Sequence, residues 1–132
     1  MKIKALVLNN GELTEKELNN TLETLQEIVG GYIEAPLLSR AFKECGVDII
    51  INSDGKFIDG LRPEIAIVNK KTSEVLNVVY GNCIFVSHNN MGDTIGLNDK
   101  QLAVVREELK VSAVLKDNEE NKKDTLVRVL LV

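Results

Sequence analysis

The chain has 132 residues, 44% apolar and 27% charged, the size and balance of one folded domain, and this excludes a wholly disordered chain. Sixteen basic against twenty acidic side chains leave a net charge of −4. Between Gly11 and Leu38 six glutamates and one lysine steepen this to −5, which disfavours nonspecific binding of nucleic acid. The apolar runs are short and Met1-Lys2-Ile3-Lys4 opens no secretory stretch, so the expectation is no membrane span and a cytoplasmic location.

Residues 2–8 read as a first strand, closed by a tight turn at Asn9-Asn10-Gly11. Leu13 to Leu18 fits a polar second strand, although Thr14 with Glu17 also matches a helix capping box. Leu22, Leu25, Ile28 and Val29 then share one face of a short amphipathic helix, with Asn20 or Thr21 as its cap. Gly30-Gly31 stops that helix, because glycine takes the left-handed conformation common at helix C-termini. Tyr32, Ile33, Ala35 and Leu37 follow as a strand, and Pro36 marks a sheet edge or a strand end.

Ser39 to Gly46 fits either one helical turn closed by Gly46 or a long loop. The β-branched run Val47 to Ile51 is a buried strand, and Asn52-Ser53-Asp54-Gly55 turns it into a hairpin with Lys56, Phe57 and Ile58. After a second turn at Gly60-Leu61-Arg62-Pro63-Glu64, Ile65 to Val68 and Val75 to Tyr80 form another hairpin. Gly81-Asn82 interrupts an apolar run that resumes at Cys83, the signature of a bulge or bend and so of a curved sheet.

Ser87 to Leu97 is a polar loop, and Asn98 or Asp99 caps a second amphipathic helix carrying Leu102, Val105 and Leu109. Val111 to Leu115 and Thr125 to Val132 read as strands joined by the charged connection Lys116 to Asp124. The last strand is too apolar to stay exposed, so it packs on the same domain or on a partner subunit, which would make the protein a homo-oligomer. The expected fold is α+β: a curved, mostly antiparallel sheet of five or more strands with the Thr21 and Asp99 helices on one face. Residues 1–109 form its body and residues 110–132 a C-terminal β extension.

Reactive groups are sparse. Cys45 and Cys83 lie 38 positions apart, which supports neither a disulfide framework nor a zinc site, and no cofactor or metal is expected. Cys83, inside an apolar strand, behaves as a small hydrophobe; Cys45 is the more exposed thiol. The single histidine, His88, lies near Asp93, and those two anchor the alternative reading of a small enzyme or nucleotide-handling protein. The other polar group is Asn52, Asp54, Lys56, Arg62 and Glu64, two turns that place charges of both signs on loops, where small proteins carry recognition surfaces.

Three stretches carry a resemblance to a known family: Thr21 to Glu34 with its Val-Gly-Gly-Tyr-Ile-Glu end, Asn52 to Lys56 with Gly60 to Pro63, and Val79 to Val86. Over roughly Lys2 to Leu109 the chain resembles domain-of-unknown-function family 3846, small proteins of bacteriophages, plasmids and other mobile elements. The resemblance implies a mobile-element accessory protein and transfers no catalytic residue. It departs where the family tends to a Gly-Leu-Pro-Pro-Asn-like turn, since Arg62 and Glu64 stand here, and the tail from Lys110 lies outside it. The expected function is noncatalytic binding of a host protein or small signalling ligand, with an anti-defence role among its uses.

Overall fold

A computed structural model describes residues 1–36, 38–115 and 124–132. Among them, ten strands and three helices form two sheets, an α+β architecture. The first strand, β1 (Lys2–Asn9), pairs antiparallel with β2 (Glu12–Asn19) through all eight residues. Asn10 and Gly11, at φ 53° and 79°, give the turn that matches the right-handed twist of the flanking strands. The strand reading of Leu13 to Leu18 therefore prevails over the capping box.

Helix α1 (Leu22–Val29) is capped by Thr21, whose hydroxyl accepts from the Thr24 N–H, and ends at Gly30 with φ 84°. Strand β3 (Ile33–Glu34) is short and stops before Pro36; the part of the expected strand at Leu37 lies outside the described residues. Helix α2 (Arg40–Cys45) resolves the open Ser39–Gly46 segment, with Ser39 as N-cap and Gly46 as left-handed C-cap.

Strand β4 (Val47–Asn52) departs from expectation. It makes no hairpin with Lys56–Ile58, because Gly55–Phe57 is a single 3-10 turn; its neighbours are β3 and the later strand β7 (Cys83–His88), both antiparallel. Val47, Ile49, Ile50 and Ile51 put apolar groups on both faces, which need cover that a strand inside the sheet finds and a hairpin edge does not. The first sheet runs β2-β1-β7-β4-β3, and β8 (Thr94–Ile95) pairs with the far end of β7.

The second sheet runs β6 (Val75–Tyr80), β5 (Pro63–Val68), β10 (Thr125–Leu131), β9 (Ser112–Leu115). The expected β5–β6 hairpin is present, and β9–β10 is a second one, whose connection, residues 116–123, lies outside the described residues. Two sheets thus replace the single curved one. At Gly81-Asn82 the chain steps from β6 in one sheet to β7 in the other.

The helices divide as well. The core between the sheets holds Leu6, Ile49, Ile65, Phe85 and Leu130, and it also takes Phe42 of α2 and Leu102 and Val105 of α3 (Asp99–Glu108). The opposite face of the first sheet, with Ala5, Ile50, Ile84 and Val86, takes Leu25 and Val29 of α1. Helices α1 and α3 therefore cover opposite faces rather than one, because the central strands β1, β4 and β7 bury apolar groups on both sides. Among the described residues no helix is long and apolar enough to cross a membrane.

Strand β10 is flanked by β5 (parallel) and β9 (antiparallel), so both of its edges are paired inside this chain. The β5 pairing covers Arg128–Leu131 and the β9 pairing Thr125–Arg128; Val127 and Leu130 are buried, while Leu126 and Leu131 stay exposed. Leu130, fully buried, marks this: Leu130→Ala should lower stability by about 2–5 kcal/mol, read from urea unfolding. A loss of a few tenths would mean that the strand is peripheral.

Candidate functional site

Glu64 is the one carboxylate buried among the described residues, and the local backbone explains how it comes to be there. Pro63 pairs with Tyr80 and Ile65 with Val79, so Glu64 is the extra residue of a β-bulge. A bulge re-aims one side chain out of the sheet's alternation. Here the carboxylate meets the β1–β2 turn: Oε2 accepts from the Asn10 N–H at 3.0 Å and Oε1 from the Gly11 N–H at 2.9 Å. Arg62 Nη1 adds an ion pair at 2.8 Å, with Glu64 1% and Arg62 29% exposed.

Two arginines close this cluster. Arg62 also donates to the Pro63 and Leu126 carbonyls, and Arg128 of β10 reaches back with Nε and Nη2 on the Gly11 carbonyl and Nη1 on that of Leu109. The turn of the first sheet is thus held through its N–H groups by an acid and through its carbonyl by a base. Gly11 allows the approach, since a Cβ there would come within 3.3 Å of Arg62 Nη2. Nearby, burial and secondarily the Glu64 charge push the Cys83 thiol far above its ordinary range.

The other members of the predicted polar group lie apart from Arg62 and Glu64. Asn52 is buried; its Nδ2 donates to the Val29 carbonyl, and Asn82 does the same for Ile28, so two asparagines satisfy the C-terminal carbonyls of α1. A Cβ at Gly31 would lie 3.0 Å from Asn52, which explains the second glycine by space rather than by conformation. Asn52 Oδ1 also accepts from the Asp54 N–H, fixing the turn that displays Asp54 and Lys56 to solvent. A small polar cleft of about 30 Å³ opens beside it, lined by Glu34, Ser53, Lys56, Asn77 and Tyr80 among others.

His88 and Asp93 take separate partners. His88 Nδ1 lies 2.7 Å from Asp48 Oδ2 across the β4–β7 pair, while Asp93 accepts from the Asn89 amide within the 89–93 loop. Cys45 is half-buried against α2, its Sγ 3.8 Å from the Phe42 carbonyl. Sequence reasoning missed Arg128, Asn82 and the buried Gln101, which completes the α3 capping box and donates to Ser87 and the Cys45 carbonyl. For Gln101 a local signal existed, the Asn98-x-x-Gln101 spacing; for Arg128 and Asn82 none did.

The fold and the cluster define a class: a two-sheet α+β domain in which the buried acid Glu64 is committed to joining the sheets. The family described as Domain of unknown function (DUF3846) matches residues 1–110, and the chain belongs to it. No curated protein and no solved structure matches the chain. The matched segment supplies β5 and β6 of the second sheet, while β9 and β10, with Arg128, come from beyond it.

Two outcomes follow from this geometry. Glu64→Ala leaves Arg62 without its counter-charge and two backbone N–H groups without their acceptor, and should cost about 3–5 kcal/mol in urea unfolding, and less in the Arg62→Ala background. Native protein treated with iodoacetamide at pH 8 should leave Cys83 unlabelled until denaturant is added, since its thiol is buried and held protonated. Mass spectrometry showing Cys83 alkylated in the folded protein would contradict that placement.

Proposed function

We propose that this is a noncatalytic binding protein, an accessory protein of a bacteriophage or mobile element that engages a protein of the bacterial host and so blunts a host process such as defence. One observation carries the reading: Tyr32 and Phe57, 74% and 75% exposed, stand on adjoining anchored segments, with Ile58 beside them at 42%. Large aromatic side chains kept in water cost solubility and repay it at an interface, where aromatics are prominent among the residues that dominate binding energy.

The backbone beneath them is held. The Ser53 N–H donates to the Tyr32 carbonyl, the Phe57 N–H to that of Asp54, and Gly55 sits so tightly against the Tyr80 carbonyl that a Cβ would come within 2.6 Å. Lys56 Nζ lies 5.3 Å from the centre of the Phe57 ring, so a cation and the exposed Asp54 frame the apolar surface. Little freedom is then lost when a partner docks, which favours affinity from a small area.

Tyr32, Asp54, Lys56 and Phe57 are the residues on which the reading stands. Tagged protein used as bait in lysate of a bacterial host should retain a partner that the Tyr32→Ala, Phe57→Ala double variant releases, while both baits unfold at the same temperature. Equal retention by the two baits would sink it.

A further inference from the structure

The cleft between the β1–β2 turn and the β9–β10 pair has a volume of about 170 Å³ and is lined by Asn10, Gly11, Glu12, Arg62, Ser112 and Arg128, with Leu126 and Val127 alongside. A guanidinium group carries five N–H donors. Arg62 spends three of them on the Pro63 carbonyl, Glu64 and the Leu126 carbonyl. Arg128 spends three on the carbonyls of Gly11 and Leu109. Among the described residues, two N–H groups on each arginine have no acceptor.

The charges are equally uneven. Arg62 is matched by Glu64, but among the described residues Arg128 forms no ion pair and faces carbonyl oxygens, which orient a cation without neutralising it. The Arg128 charge is therefore not neutralised by direct contact among the described residues, and the one carboxylate besides Glu64 at the cleft is Glu12. The carbonyl bonds also fix both guanidinium groups in advance, so a ligand does not have to order them. Glu12 lines the cleft, exposed and with no side-chain bond to either arginine among the described residues.

We propose that this cleft binds the phosphoryl group of a small molecule, at a site separate from the Tyr32–Phe57 surface. Two planar forks with four unspent N–H groups, and the Ser112 hydroxyl at the same wall, offer more donors than the two oxygens of a carboxylate use. They suit the three terminal oxygens and two charges of a phosphate monoester, the chemistry for which arginine forks are best shaped. Because Arg62 immediately precedes β5 and Arg128 lies in β10, while the turn belongs to the first sheet, an occupant would tie the sheets together and raise the unfolding temperature.

The test is calorimetric titration of the full chain with inorganic phosphate, with acetate at matched ionic strength, and then with a nucleoside monophosphate. Phosphate should bind at least ten-fold more tightly than acetate. Glu12→Gln removes the carboxylate charge without touching the clamp and should tighten phosphate binding about three-fold, while Arg128→Lys should weaken it at least ten-fold if the variant keeps its cooperative unfolding. A nucleoside monophosphate binding more tightly than phosphate would identify an organic phosphate as the occupant; equal binding would identify free phosphate, and both support the proposal. No heat with phosphate at tens of millimolar, acetate binding as well as phosphate, or an affinity unmoved by Glu12→Gln would overturn it. The Glu12 variant decides the matter even where Arg128→Lys fails to fold.

Discussion

The structure depends on one carboxylate taken out of water. An ionised acid buried in a protein is costly, and it persists only where several donors meet it with good geometry. Glu64 meets that condition with the Asn10 and Gly11 N–H groups and one arm of Arg62. Each donor implies a local feature. The two N–H groups are free because a two-residue hairpin leaves them outside the β1–β2 ladder, and the carboxylate reaches them because the bulge in β5 turns it inward.

From that junction the placement of the chain's last segment follows. Arg128 binds the Gly11 carbonyl from β10, and Arg62 binds the Leu126 carbonyl, so the turn, β5 and β10 hold one another. Arg62 and Glu64 lie within the residues that the family matches, and the strand that carries Arg128 lies past them. The clamp thus joins the matched segment to the tail. The exposed aromatics sit elsewhere, on segments tied to α1 by Asn52, so the surface proposed for a partner and the cleft proposed for phosphate rest on separate supports.

What was legible in the sequence was chemistry acting over a few residues. Asn10-Gly11 announced its turn, Thr21 and Asn98 their helices, Gly30 its stop, and Asn69 to Ser73 the β5–β6 hairpin. Pairings across long separations were not legible. Glu64 finds its acceptor role 53 and 54 positions away, and His88 meets Asp48 at a separation of 40, not the Asp93 that lies beside it in sequence. The hairpin expected after Asn52 failed for a related reason: a turn sequence fixes a change of direction, but burial on both faces decided that β4 pairs with β7. Likewise five polar residues close in sequence became two groups, because the bulge aims Glu64 inward while Asn52 turns to the end of α1.

The clamp is tested most directly by amide hydrogen exchange at Asn10 and Gly11. Both lie in a surface turn outside the regular ladder, where amides ordinarily exchange within seconds to minutes. The account predicts that they are protected to nearly the free energy of global unfolding, and that Glu64→Gln strips much of that protection. Free exchange of both amides in the native protein would show that the carboxylate does not hold the turn, and the joint between the two sheets would have to be sought elsewhere.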